Sequence, residues 1–588
     1  MKNGLLIVGV ASLATAAQAQ STITPLIVEG DSTPIGNVTR IDNNDVNDNG
    51  DWLVELDTDN TDAKKDAAVY LNGTMIHAEG TAMGIPAPFD TAWVYDSFVD
   101  SMDINDNGDV MILMNAEDVN LVVSDTKLVL WTNGATGTTY VLMEQGVTPN
   151  TVAGEPAGAV WSSIGEVWQN NNNEIMISGR SDSDSDDMLA MLTHDGMGNI
   201  TSQTVFAMDN VVHSTAFPPS NGTHADTVQG FASSKQNMAL NNAGQKMFYV
   251  DDQSFGAGGM PDYTTVDAHF YVDTTEIAWE GDDAPTPGPW PYNHLSSAEV
   301  DINDSGVWAA VWDDDGDTSQ DFFINRNGTV FVQEGFTAPG IPGGFVLTGP
   351  SYGHVQISDQ GDLTWYGDWD DADTDKDSGL FRNHDLLIQE GVTMIGSEIV
   401  DTISTSSDGM AVSDSGRFII IELTLANGNE GSFLIDIPNG ISFCFGDGTG
   451  TVCPCGNSGG AGEGCGNSTG AGGVLTAAGV ATVGADTLVL NAEQVPAGVP
   501  GVFFQANNSL ANPQLFGDGF LCATGGIQRL GSPVFTDAGG NGASAVTISV
   551  FGAVNTGDTK NYQFWYRDVS GPCASGFNTT NALELTWL

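Results

Sequence analysis

Short apolar runs separated by turn residues fill the first three quarters of the chain, and one polar phrase keeps returning between them: small polar residues and a glycine, followed by an apolar strand. It is written NDNGDW from Asn47, NDNGDV from Asn105, NNNNEI from Asn170, NNAGQK from Asn241, NDSGVW from Asn303, SDQGDL from Ser358 and SDSGRF from Ser413. The glycine positions of the phrase (Gly50, Gly108, Asn173, Gly244, Gly306, Gly361, Gly416) lie 58, 65, 71, 62, 55 and 55 residues apart. A period of this length marks an array of four-stranded units, each with one long loop.

Each unit reads as four strands. Strand a ends in a turn signal, as in AVYLNG to Gly73 and FFINRNG to Gly328, and strand b runs to an acid before glycine or asparagine, as in PLIVEG to Gly30 and LLIQEG to Gly391. A loop then leads to strand c, which ends at the phrase, and strand d follows as DVMILM or VWAAVW. Asn-Gly and Asp-Gly supply the positive φ of a tight hairpin. Almost nothing reads as helix. The fold class expected is all-β, a seven-bladed β-propeller followed by a small disulfide-stapled β-sandwich. The mature chain enters on a lone strand b (Ile23 to Glu29) and the repeats finish on a lone strand a (Ser432 to Ile437), so these two are expected to pair and close the ring. Ile441 to Phe445 remains open as a further strand b. Antiparallel parity puts the a–b and c–d turns on one face and the b–c and d–a connections on the other. The d–a connections collect acid, at Asp57 to Asp66, Asp182 to Asp187, Asp313 to Asp317 and Asp368 to Asp377, which makes theirs the expected binding face.

Four segments follow from this layout. Residues 1–19 read as a signal peptide, with Lys2, an apolar stretch from Gly4 to Ala16 and an A-x-A signal at Ala17-Gln18-Ala19. The propeller spans 20–440, a Cys/Gly-rich linker 441–473 and the sandwich 474–588. In the last segment DTLVLNA, GVFFQAN, SAVTISVF, NYQFWYRD and ALELTWL read as strands. No other stretch has the roughly 18 to 20 apolar residues of a membrane helix, and the expected location is secreted or cell-surface.

Charge and cysteine narrow the chemistry. With 76 acidic against 15 basic residues and a formal charge of −61, the surface repels phosphate backbones, which argues against nucleic-acid partners. All six cysteines, Cys444, Cys453, Cys455, Cys465, Cys522 and Cys573, fall in the tail and read as three disulfides. Cys522 and Cys573 bracket one strand-rich unit and are expected to pair, leaving the other four to form two bridges around the linker.

Asp45-x-Asn47-x-Asn49-Gly50, with its copies from Asp103 and Asp301, opens like a calcium loop, but Leu56, Met114 and Trp312 stand where a bidentate acid belongs. Hairpin capping by Asn and Asp is the stronger reading. The candidate metal ligands are instead Asp313, Asp315, Asp317, Asp371, Asp373 and Asp375 in the d–a connections, with calcium as the one cofactor proposed. Glu29, Glu79, Glu280, Glu334 and Glu390 recur at the end of strand b and are expected to bond backbone there. The G-x-S-x-G runs at Gly456 and Gly466 lack the strand and helix of a nucleophile elbow, and no catalytic residue is assigned.

The phrase and the EG-terminated strand b, over about residues 23 to 440, resemble the tandem NxxGxxAF-type repeat proteins exported by planctomycetes and other environmental bacteria, although copies such as NDNGDVMI depart from the AF ending. The tail, from CPCGNSGGAGEGCGNS through FGDGFLCATGGIQRLG to NALELTWL, resembles a C-terminal domain found on many secreted planctomycete proteins. That resemblance implies location more than activity. The function expected is an exported non-enzymatic binding or cell-surface protein, with an extracellular polysaccharide or another surface protein as partner; the alternative is a secreted carbohydrate-active propeller enzyme, a glycosidase or polysaccharide lyase. Oligomeric state is not legible.

Overall fold

The computed structural model describes residues 22–81, 93–118, 126–183, 187–209, 227–231, 237–255, 261–280, 282–286, 291–293, 295, 299–406, 408–437, 440–478, 481, 483, 486, 488–555 and 557–587. Residues 1–19, expected to be a signal peptide, lie outside these. The chain divides into two compact units, Thr22–Asp436 and, toward the C-terminus, Ile437–Leu588.

Among its described residues, Thr22–Asp436 is built from seven antiparallel sheets in a propeller-like, all-β arrangement. In the first sheet Val38–Val46, Trp52–Thr58, Ala67–Leu71 and Thr74–Ala78 lie side by side in chain order. Strand c is thus innermost and b outermost, and each sheet takes its strands in the order c, d, a, b. The second and third strands are covered on both faces. Leu53 packs with Ile112 and Leu128 of the second sheet, while its chain neighbour Val54 packs with Ile420 of the seventh. Successive side chains of a strand point to opposite faces, so a strand between two cores must be apolar at every position. Runs such as DVMILM follow from that.

The ring closes as anticipated. Thr22–Val28 pairs antiparallel with Glu430–Asp436, Ile23 opposite Ile435 and Val28 opposite Gly431. The seventh sheet therefore takes its outer strand from the start of the chain and its other strands from the end.

Among its described residues the C-terminal unit holds a six-stranded sheet, a three-stranded sheet and a hairpin. Its core gathers Leu475, Leu490, Phe503, Tyr562, Phe564, Leu583 and Trp587. Four expectations are corrected here. Ile441–Phe443 is a strand of this unit, paired with Gly576–Thr586, and not a further strand b of the repeats. The segment 444–473 is not a linker but part of the fold. Asn457 Nδ2 donates to the carbonyls of Gly466 and Asp518, Asn578 Nδ2 donates to that of Cys465, and a Cβ on Gly464 would sit 2.8 Å from the Thr579 carbonyl. Within SAVTISVF, Ile548–Gly552 is helical and ends on Ala553 in the left-handed region; the Ser549 N–H donates to Asp486 Oδ2 at 2.5 Å, a tertiary bond that takes the donor a strand ladder would use.

The last correction concerns the bridges. They join Cys444 to Cys522, Cys453 to Cys465 and Cys455 to Cys573, so the pairing of Cys522 with Cys573 is overturned. Cys522 lies on the hairpin strand Gly519–Thr524, packed with Phe443 and Cys444 at the end of the added strand. Cys573 is held in a turn, its N–H donating to Asp518 Oδ2 at 3.2 Å. Three disulfides fit an oxidising compartment. No helix among the described residues is long and apolar enough to cross a membrane.

Candidate functional site

The recurring phrase is the turn between the innermost strand and its neighbour, and its side chains reach across to the next sheet. Asn47 Oδ1 accepts from the N–H groups of Asn49 and Asp51, which folds the turn, while Nδ2 donates to the Asn105 carbonyl at 2.9 Å. The same side-chain bond runs from Asn105 to Asn170, from Asn170 to Asn241, from Asn241 to Asn303 and from Asn303 to Ser358. The glycine is required by conformation: Gly50, Gly108, Gly244, Gly306, Gly361 and Gly416 have φ between 68 and 79°, and Asn173 takes the same region at 61°. In the three phrases that open like a calcium loop, the amides of Asn47, Asn105 and Asn303 are engaged with backbone.

A second ring uses the next residue of each phrase. The N–H of Asp48 donates to Asp106 Oδ1 at 2.9 Å, that of Asp106 to Asn171 Oδ1, that of Asn171 to Asn242 Oδ1, that of Asn242 to Asp304 Oδ1 and that of Asp304 to Asp359 Oδ1. Asp359 N–H reaches the Asp414 carbonyl, and Ser415 N–H returns to Asp48 Oδ1 at 2.7 Å. All seven sheets are joined head to tail. Asn242 Nδ2 also donates to Asp414 Oδ2 at 2.6 Å, a bond between the fourth and seventh sheets, which are not neighbours, so it bridges the axis. Deeper in, Asp45, Asp103 and Asp301 each accept the N–H of a residue on the following sheet, Ile104, Gln169 and Ile357 respectively.

These layers line an axial cavity of about 200 Å³. Nine acidic residues line it, Asp45, Asp103, Asp106, Asp301, Asp304, Asp359, Asp408, Asp414 and Glu299, and no Lys, Arg or His stands among its described lining residues. Such crowding opposes ionisation. Burial and then Asp304 push Asp359 up to about 7, and burial pushes Asp301 up to about 6. Asp48 is raised by burial and by Asp106. Glu299, 5% exposed, is raised well above the carboxylate range by burial, and its Oε2 has no hydrogen-bond partner.

The acids singled out as metal ligands lie elsewhere. Asp313 is buried at the end of Trp308–Asp314, and Asp315 and Asp317 are exposed in the connection beyond it. Asp317 Oδ1 accepts from Ser319, Asp371 Oδ1 accepts from the Asp373 N–H, Asp373 pairs with Lys376 at 2.6 Å, and Asp375 is exposed. Among the described residues no three His, Cys, Asp or Glu side chains are grouped to ligate a metal ion directly, these included. Four of the five strand-b glutamates bond backbone: Glu79 Oε2 accepts from Asp66 and Ala67, Glu280 Oε1 from Leu295, Glu390 Oε1 from Ile403 and Glu29 Oε2 from Glu430, whereas Glu334 leaves its Oε2 buried without a partner.

Sequence reasoning passed over the axial ring. The signal was present, since the second residue of all seven phrases is Asp or Asn, but a turn residue gives no hint that its partner is the next turn, some sixty residues on.

A family model matches residues 9–408, which run from the first sheet into the seventh. The chain belongs to the DUF7453 family, a family of unknown function. No curated protein matches it. Among solved structures it is similar to the β-propeller domain of the Trilobed protease from Pyrococcus furiosus, at 8% identity and a TM-score of 0.34 over 68% of this chain and 94% of that one. An oligogalacturonate lyase in complex with manganese is similar at 11% identity and a TM-score of 0.35, over 71% and 98%. The GH93 α-L-arabinofuranosidase of Fusarium graminearum is similar at 9% identity and a TM-score of 0.27, over 70% and 97%.

Proposed function

We propose that this chain is an exported, non-enzymatic binding or cell-surface protein. In this reading its seven sheets are the blades of a seven-bladed β-propeller, the acidic d–a connections form the binding face, and the C-terminal unit is a β-sandwich that displays or anchors it. The observation that carries the proposal is the division of labour among its polar residues. The repeated ones at the axis are engaged in sheet-to-sheet hydrogen bonds, while Asp315, Asp317, Asp370, Asp373 and Asp375 project into solvent. A residue repeated in every blade does what every blade needs; the acids that differ between blades lie exposed where a ligand can reach them, Asp373 in an ion pair with Lys376.

Removal of residues 1–19 and the resemblance to exported NxxGxxAF-type proteins belong to the same proposal. The partner proposed is an extracellular polysaccharide. The test is the purified mature chain on a polysaccharide array, scored for retention and for released oligosaccharide. Retention without release, weakened when Asp370, Asp373 and Asp375 are changed together to Asn, is expected; release of product would replace this reading with the carbohydrate-active enzyme.

A further inference from the structure

One face of the six-stranded sheet in the C-terminal unit carries a line of side chains that the core does not use. Val534–Phe535, Pro500–Ala506, Thr559–Asp568 and Gly576–Thr586 lie side by side in that order. Val534, Phe503, Phe564 and Tyr566 pack into the core, so the residues next to them in sequence face the other way. On that outer face Phe535 stands opposite Pro500, Arg567 stands opposite Phe577, and Pro500 and Arg567 each follow on from the Gly501–Tyr566 pair. Phe535, Pro500, Arg567 and Phe577 therefore form one line across four strands. Trp565 lies beside it, its ring centroid 5.9 Å from that of Phe577, and Phe516 of the hairpin is 5.0 Å from Phe577. The hairpin covers the far part of this face, with Ala523 and Leu521 against Phe504 and Ala506, and stops where Gly517 abuts the Phe577 ring. Phe535 is left 69% exposed, and Arg567 is exposed beside it.

Apolar side chains exposed singly are ordinary, but rings aligned in one patch beside a polar group mark a binding surface. Its charge says what it fits. The chain holds 76 acidic residues, yet this line contains none, and its single charge is Arg567. Asp568 points to the opposite face, where it accepts the Ser468 N–H, and Asp537 beyond Phe535 is engaged with the N–H groups of Gly539 and Asn541. A second copy of this chain, an anionic polymer or an anionic membrane would bring like charge against the −61 of the protein. We infer that this line is a stacking platform for a neutral polysaccharide chain, with sugar rings lying on Phe535, Trp565 and Phe577 and the Arg567 guanidinium donating to hydroxyls between them. The face of an aromatic ring is negative and attracts the polarised C–H groups on the apolar side of a sugar ring. Arg567 brings a planar fork of donors to a ligand rich in acceptors. Three strand spacings of about 4.8 Å separate Phe535 from Phe577, so the platform runs about 14 Å and takes several linked sugars rather than one. The site goes beyond the acidic loop face proposed above and lies in the other unit of the chain; each can fail without the other.

Affinity electrophoresis of the mature chain tests this, in gels containing hydroxyethylcellulose, xylan, galactomannan or, as an acidic control, alginate, each read against a polymer-free gel. At least one neutral polymer should retard the chain, and alginate should not. Phe535→Ala should weaken that retardation about tenfold or more, the scale of a lost aromatic contact, and Arg567→Gln should weaken it too. Both side chains are exposed, so both variants should melt with the parent. Asp370→Asn, Asp373→Asn and Asp375→Asn together should leave the retardation unchanged. Retardation lost in that triple variant but kept in Phe535→Ala and Arg567→Gln would overturn the platform and leave the loop face standing. No retardation by any neutral polymer, or retardation by alginate alone, would overturn it equally.

Discussion

The Ser415 N–H donates to Asp48 Oδ1 at 2.7 Å across 367 residues of chain. This bond completes a circuit in which each phrase holds the next, so the first and last turns are as close as any adjacent pair. A circuit of this kind couples the sheets. A break at one point is felt by strands on both sides.

Asn303 offers a clean break. Its Nδ2 donates to Ser358 at 2.8 Å and its Oδ1 accepts from Ser305 and Val307, at 4% exposure. Asn303→Ala leaves these groups without partners and is expected to cost about 1–3 kcal/mol or more, read as a lower midpoint in urea unfolding. Asp317→Ala, exposed in its connection, should stay within about 0.5 kcal/mol. Equal midpoints for the two variants would count against the staple.

Closure makes a separate prediction about the first strand. Without residues 22–28, the strand Glu430–Asp436 loses its partner and becomes an edge. Hydrogen exchange should then accelerate at those amides of 430–436 that donate to the missing strand, and the seventh sheet should unfold at lower denaturant than the fourth. Unchanged protection at 430–436 would refute the coupling.

The bridges can be ranked by the loops they close. Cys455–Cys573 spans 118 residues and Cys453–Cys465 spans 12. Loop-closure entropy grows as (3/2)RT ln n, so losing the longer bridge should cost the C-terminal unit about 2 kcal/mol more than losing the shorter one. Paired Cys→Ser variants in chemical denaturation check this ranking. Reduction of all three bridges should leave Thr22–Asp436, which contains no cysteine, with its melting transition unchanged.

The axial acids set a pH dependence with a definite sign. The folded-state pKa of Asp359 is raised from 3.8 to about 7 by burial and by Asp304. Its contribution to stability is therefore complete below about pH 4 and is lost as the pH rises through 7. Asp359→Asn keeps an oxygen for the Asp304 N–H and removes the charge. In chelator, the variant should match the parent in melting temperature near pH 4 and exceed it at pH 7.5.

The sequence by itself determined the repeat, the all-β class and the closing strand pair. Each was legible because it is local: Asn-Gly turns, apolar runs such as DVMILM, and an orphan strand at either end of the array. It also placed all six cysteines in the tail. Which cysteine meets which was decided only by tertiary structure, because Cys444 reaches Cys522 through a strand that joins a sheet formed by the last residues of the chain. The axial cavity was likewise invisible along the chain. Asp48, Asp106, Asp304, Asp359 and Asp414 are ordinary turn residues one at a time, and they become a charged ring only when seven turns converge on one axis. Local propensity is written in neighbouring residues, whereas an electrostatic field arises from groups that folding brings together.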